Sequence, residues 1–222
     1  YNDRECCEWH GAGKALFDEW TGYKPGLPQV RLWGSMRDID AVHERAASRL
    51  GKWLRQELWL NAFLMDEQRM KGYVEQIRRH RPVQILAYAD AAHSLALFML
   101  QEGLDVPPPQ AVMTSAGTLT EEMRHSIQRA FGAPVFNRYG CREVSDMACE
   151  CERHQGLHLL PTTHLVEVVD PEGQPVGPGQ TGEVLVTDLT NYSQPFIRYR
   201  IGDRATVSRE PCSCGRGLPT IA

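Results

Sequence analysis

Apolar residues recur at helical spacing through 36–56, MRDIDAVHERAASRLGKWLRQ, and through 65–82, MDEQRMKGYVEQIRRHRP. In the second run Met70, Tyr73, Val74 and Ile77 share one face, and Pro82 cannot continue the helix. The pattern predicts a helical first third. Then the rhythm changes. VQILAYA at 83–89 is a short apolar run of strand type, and ADAAHSLALFMLQEG at 89–103 is helical again. AVMTSA at 111–116 predicts a second strand. LTEEMRHSIQRAFG at 119–132 predicts a helix capped by Thr120, with Glu121 and Glu122 in its first turn. Its buried stripe is Met123, Ile127, Ala130 and Phe131. APVFNRYG at 133–140 predicts a third strand.

Strand, helix, strand, helix, strand at about 25-residue spacing is the pattern of a parallel sheet with crossover helices. Past about residue 155 the helical pattern stops. HLVEVVD, GEVLVTDL and PFIRYRIGDRATV read as strands, separated by the Pro/Gly turn region PEGQPVGPGQTGE. The expected fold is α/β: a parallel sheet with flanking helices over 1–155, then a small antiparallel β subdomain over 156–222.

Composition narrows the partners. A net charge of −4 favours neither nucleic acid nor an acidic membrane surface. No apolar run approaches the roughly 20 residues that span a bilayer, and the first residues lack a basic-then-apolar signal layout. These features predict a cytoplasmic protein. Seven cysteines, an odd number, argue for thiols and metal ligands rather than a disulfide scaffold. The opening at Tyr1 and the close at LPTIA suggest a piece of something longer.

In parallel sheets ligands sit beyond the carboxyl ends of strands. Those ends here are TSAGT and NRYGCRE. TSAGTLTEE could present backbone N–H groups at a helix N-terminus to an anion, or could be a plain capped turn. NRYGCREVSD offers Tyr139 for stacking on a base, the close-approach Gly140, and Glu143 for a magnesium ion. A packed Tyr beside a surface Glu is the alternative. In RYRIGD, Asp203 could accept both ribose hydroxyls, or be a solvated turn residue.

For metal, CxC at Cys212 and Cys214 followed by Gly215 can point two thiolates at one ion. The stretch CECERHQGLHL at 149–159 supplies Cys151 as a distant sulfur, with Cys149 as another, and His158 or His154 as a fourth ligand. Such closed Cys/His sets are structural zinc sites. The alternative is a set of thiols that never meet. Cys6 and Cys7 read as small apolar residues on a helix, and Cys141 as packed.

The order TSAGT, NRYGCRE, GLH, VTDLTNYSQPFIRYRIGD and CSCGRGLP resembles the adenylate-forming superfamily of acyl-CoA synthetases. Within it the match is to the phenylacetate–CoA ligase branch and its capsule-biosynthesis relatives, from about Trp20 to the end of the chain. The resemblance implies part of the large domain of such an enzyme. It places Ser115, Ala116 and Gly117 along the adenine and substrate wall, and Tyr139 on adenine with Gly140 beside it. Glu143, the catalytic candidate, falls by the magnesium ion and α-phosphate, Asp203 on the ribose, and Tyr88 near the acyl pocket. It implies ATP and AMP, Mg2+, coenzyme A as acceptor and a small carboxylic acid as substrate. It also favours Cys151, His158, Cys212 and Cys214 as the zinc set, with His154 in reserve.

Two departures stand out. The family's Ser/Thr/Gly phosphate loop is not in this sequence, and the last lysine is Lys71, so nothing after it supplies the family's catalytic lysine. This stretch by itself is therefore expected to be inactive. The remainder of a longer chain, or a second copy in a homodimer, is the expected protein partner. The competing reading is a non-catalytic, zinc-stapled module that keeps a nucleotide-binding shape.

Overall fold

The computed structural model describes residues 4–34 and 51–222. Most of the predicted helix at 36–56 lies outside the described residues. The chain forms two compact units, one of Thr21–Asn137 and one that joins the chain up to Trp20 with Arg138–Ala222. The first element, helix α1 (Arg4–Trp20), belongs to the second of these.

The unit Thr21–Asn137 holds the parallel sheet. Its strands are β1 (Gln29–Trp33), β2 (Glu57–Asn61), β3 (Gln84–Tyr88), β4 (Ala111–Ser115) and the first residues of β5 (Val135–Cys141). They pair in parallel in the order β2, β1, β3, β4, β5. Helices α2 (Glu67–His80), α3 (Ala89–Glu102) and α4 (Glu121–Phe131) connect them. Every residue of β4 is buried, as expected where helices cover both faces of a parallel sheet. The predicted cap at Thr120 is present, its Oγ1 accepting from Met123 N at 3.2 Å. Gly132 closes α4 in the left-handed conformation that costs a residue without Cβ little. Ile127 and Phe131 are fully buried, with Met123 and Ala130 partly so. On α2, Tyr73, Val74 and Ile77 join the same core, with Met70 packed against it.

The first third is not wholly helical. β1 and β2 lie within it, and β1 runs between β2 and β3. QVRLW and ELWLN are five-residue runs whose strand character comes from partners distant in sequence, so local periodicity misses them. The buried glutamines of this region satisfy one another: Gln29 Nε2 donates to Gln84 Oε1, and Gln84 Nε2 donates to Thr21 Oγ1 at 2.6 Å.

The other unit is antiparallel. From Arg138 onward β5 pairs with β6 (Ser145–Glu150), β6 with β7 (Leu157–Leu159), and β7 with β11 (Thr220–Ile221). A separate three-stranded sheet is ordered β10 (Tyr199–Thr206), β9 (Thr181–Asp188), β8 (His164–Val169). Ala148, Leu159, Val168, Val184, Ala205 and Ile221 form one core cluster. Helix α1 packs on β6, where Gly13 leaves room for Leu160: a Cβ there would lie 2.8 Å from Leu160 Cδ1.

The compact units therefore divide at Asn137 and Arg138, whereas the sequence pattern suggests 155 and 156. The physical reason is the turn at 142–144, which folds β6 back on β5 and starts antiparallel pairing well before the helical pattern's expected end.

Candidate functional site

Two of the nucleotide candidates meet in the antiparallel unit. Tyr139 lies in β5, half-buried, and its phenol donates to Asp203 Oδ2 at 2.8 Å. Burial first, then the hydrogen bond and charge of Asp203, push the Tyr139 phenol far above its ordinary range, so it stays a neutral donor. Asp203 lies inside β10, where the register against β9 shifts between Arg200 and Arg204 and Gly202 takes φ +87°. A bulge of this kind re-aims a side chain out of the ladder, and Asp203 is exposed. A shallow cavity of about 510 Å³ runs beside it, lined by Asp170, Glu183, Arg200, Asp203 and Arg204 among others.

Gly140 has a structural reason. A Cβ there would collide with the Ser145 carbonyl and lie 2.8 Å from Asp146 Cα, so only glycine lets the hairpin strands approach this closely. Glu143 is exposed in the turn joining β5 to β6. Burial, followed by the neighbouring Glu143 carboxylate, raises the thiol of half-buried Cys141. The hairpin also holds a pairing that no sequence motif announces: buried Arg138 lies 3.0 Å from Asp146 Oδ2.

The remaining candidates lie in the parallel unit. Ser115 ends β4, buried and opposite Tyr88 in the β3–β4 register. Ala116 then takes φ +53°, a conformation that costs a residue with a Cβ and marks the carboxyl end of the strand as constrained. Gly117 follows, with room for no more than ordinary contact against Ala89 and Asp90. Tyr88 Oη donates to Gly34 O at 2.8 Å. Its ring lies 4.1 Å from Trp33 and edge-on to Phe63 at 6.1 Å. Trp33 and Phe63 likewise belong to no recognisable motif.

The cysteine cluster is assembled as the resemblance implies. Cys151 follows β6, His158 lies in β7, and Cys212 and Cys214 lie on the turn closed by Gly215 at φ +78°. The thiols of Cys151 and Cys212 are 3.6 Å apart, and Cys214 Sγ is 3.5 Å from His158 Nε2. All four ligand atoms lie within 4.8 Å of one another. A tetrahedral zinc with bonds of about 2.3 Å to sulfur and about 2.0–2.1 Å to nitrogen needs separations of this size. Burial, and then Arg216, lowers His158, which keeps the imidazole neutral and able to ligate. Burial and the neighbouring thiols push Cys151 up to about 11. At Cys214 burial acts upward, but hydrogen bonds from the Arg216 backbone and side chain prevail and draw the thiol down to about 7. Three sulfurs and one imidazole fit zinc.

His154 stands outside this set, with Nδ1 3.1 Å from Glu150 Oε2. Cys149 is also outside it, fully buried in β6 with its thiol raised well above the ordinary range by burial. Cys6 is buried on α1 as expected, but Cys7, one residue on, is exposed, since consecutive helical positions point about 100° apart.

No family model matches the chain. It is 27% identical to protein CapK of Staphylococcus aureus over 197 residues, which is 87% of this chain and 42% of CapK. It is 37% identical to a phenylacetate-coenzyme A ligase of Thermus thermophilus over 101 residues, 44% of this chain and 23% of that one. An open conformation of 2-hydroxyisobutyryl-CoA ligase, in complex with 2-HIB-AMP and CoA, matches at TM-score 0.76 and 20% identity, over 96% of this chain and 48% of that one. The chain shares the fold of that ligase over nearly all of its own length. It spans less than half the length of each of these three relatives. Among its described residues, no helix is long and apolar enough to cross a membrane.

Proposed function

We propose that this chain carries the nucleotide- and acyl-binding part of an acyl-adenylate-forming ligase of the phenylacetate–CoA ligase type. A carboxylate oxygen of the acid attacks the α-phosphorus of ATP and pyrophosphate leaves. The sulfur of a thiol, coenzyme A in this reading, then attacks the acyl carbon and AMP leaves. The observation that supports this best is the Tyr139–Asp203 hydrogen bond, which joins the two motifs assigned to base and ribose.

In this proposal Tyr139 stacks on adenine and Asp203 accepts from the ribose hydroxyls. Ser115, Ala116 and Gly117 line the adenine and substrate wall, and Tyr88 with Trp33 and Phe63 forms an aromatic surface suited to an aryl or other apolar acid. Exposed Glu143 is an oxygen donor of the kind magnesium takes while keeping several waters. When bound, that ion neutralises phosphate charge. Zinc at Cys151, His158, Cys212 and Cys214 has a structural role, because four protein ligands leave no position for substrate. The cytoplasm is the setting this reading implies, because a reducing compartment keeps the proposed thiol ligands available to a metal.

Pyrophosphate exchange and hydroxamate formation with phenylacetate and related acids test the reading. They should be run on this chain and on a longer protein that adds a Ser/Thr/Gly phosphate loop and a lysine-bearing domain. Activity is expected only from the longer protein. Losing one preorganised donor in such chemistry costs about 10²–10³ in rate, so a lack of both should leave this chain near background. A longer protein that binds AMP but exchanges no pyrophosphate with any acid would overturn the proposal.

A further inference from the structure

Three side chains that neither the nucleotide reading nor the zinc cluster uses meet inside the antiparallel unit. Cys6 and His10 are four residues apart on α1, so they share a face of the helix. Asp188 is the last residue of β9. Cys6 and the Asp188 side chain are wholly buried, and the His10 side chain is 8% exposed. Cys6 Sγ lies 3.7 Å from His10 Nδ1 and 3.8 Å from Nε2. His10 Nε2 lies 3.4 Å from Asp188 Oδ2. One ligand atom from each residue falls within 4.8 Å of the others. Around a tetrahedral ion with bonds of about 2.3 Å to sulfur and about 2.0–2.2 Å to nitrogen and oxygen, ligand atoms stand roughly 3.3–3.6 Å apart. The observed separations are close to these.

The carboxylate is the informative member. Its Oδ1 accepts from Thr190 N at 2.9 Å, Thr190 Oγ1 at 2.9 Å and Asn191 N at 3.2 Å. That fixes the group and satisfies one oxygen. Oδ2 is buried without a hydrogen-bond partner, a costly state for a carboxylate oxygen, and it faces an imidazole nitrogen with a thiol just beyond. Thr190 Oγ1 also lies 3.2 Å from His10 Nε2 and 3.6 Å from Cys6 Sγ, which encloses the group on that side. His164 stacks on His10 with centroids 5.3 Å apart. Its own nitrogens engage Thr163 Oγ1 at 2.9 Å and the Val144 carbonyl at 2.6 Å, so it is a wall rather than a ligand.

We propose that Cys6, His10 and Asp188 form a second metal site, for a divalent ion of zinc type, separate from the Cys151, His158, Cys212 and Cys214 cluster. A sulfur, nitrogen and oxygen donor set disfavours magnesium and calcium, which take oxygen ligands, and suits zinc. A Cys–His–Asp nucleophile relay fits less well. Cys6 has no exposed surface for a substrate to reach, and the nitrogen that faces the carboxylate is also within 3.8 Å of the thiol. The hydrogen bonds on Asp188 Oδ1 are the outer partners that orient a metal-ligating carboxylate. The bound ion ties the start of α1 to the end of β9, two elements far apart in sequence.

The test is metal stoichiometry in protein purified with zinc and freed of loosely held ions. Wild type should hold two zinc ions per chain, and Cys6→Ser and Asp188→Asn one each, with unchanged circular dichroism. Cadmium-loaded wild type should give two cadmium NMR resonances, one from a three-thiolate site and one from a single-thiolate site. Cys6→Ser should remove only the second. At most one zinc in wild type, unaltered by Cys6→Ser, or no single-thiolate cadmium resonance, overturns the assignment. The wild-type cadmium spectrum needs no substitution, so it decides even where a variant fails to fold.

Discussion

The Tyr139 phenol donates a 2.8 Å hydrogen bond to Asp203, linking two strands whose residues are 64 apart in sequence. A side chain assigned to a base is thereby held by the side chain assigned to a ribose. Neither group can be altered without loosening the other.

Replacing Asp203 by Ala should weaken AMP binding by about 1–3 kcal/mol, the cost typical of a lost charged hydrogen-bonding group. Tyr139→Phe keeps the ring and loses the clamp, so it should cost less, about 0.5–1.5 kcal/mol. Titration calorimetry reads both. Equal AMP affinity in wild type and Asp203→Ala would remove Asp203 from the nucleotide site.

As the proposed zinc site, the cluster of Cys151, His158, Cys212 and Cys214 should contribute to the fold's stability. Cys212→Ser leaves Cys151, His158 and Cys214 without a fourth protein ligand, and metal-binding free energy is coupled to folding free energy. Thermal unfolding should fall in the variant, and a chelator should lower wild type toward it. A wild-type midpoint indifferent to chelator would argue against a structural metal.

Glu57 gives the parallel unit an acid-sensitive contact. Burial acts to raise its carboxyl, but the Trp59 Nε1 hydrogen bond at 3.1 Å and the charges of Arg31 and Arg55 outweigh it, and the net shift is downward. A carboxyl depressed in the folded state contributes stability above its unfolded value of about 4.3, and that contribution is lost as pH falls through the folded value. Glu57→Gln should therefore cost up to about 1 kcal/mol at neutral pH and nothing at the acid end. Melting curves from neutral pH to below pH 4 should show wild type and variant converging as acid increases. Parallel curves would show that the group is not linked to folding.

Gly140→Ala should destabilise the β5–β6 hairpin by about 1–3 kcal/mol, the usual cost of overpacking, because the added Cβ meets the backbone of Ser145 and Asp146. Urea unfolding measures this. A variant as stable as wild type but poorer at AMP binding would assign Gly140 to the ligand instead.

Elements that depend on neighbours in sequence are legible from the residues alone. The AVMTS strand, the Thr120 cap, the Gly132 stop and the Ile127–Phe131 stripe each follow from steric and hydrogen-bonding preferences within a turn or two of chain. Cys212 and Cys214 and the 149–159 stretch are legible as metal-ligand candidates because few residue types bind such an ion. The residues alone leave Cys149 beside Cys151 and His154 beside His158, and it is the tertiary structure that groups Cys151 and His158 with the other two. Strand pairing decides the rest. β1 and β2 are strands because β3 supplies a parallel partner, and antiparallel pairing begins at Arg138 because β6 folds back on β5. Asp203 is re-aimed by a shift of register against β9, and Asp188 reaches Cys6 and His10 only because α1 packs in the unit formed by the far end of the chain. Such contacts depend on the three-dimensional path that brings distant residues together, and no local pattern of residues encodes that path.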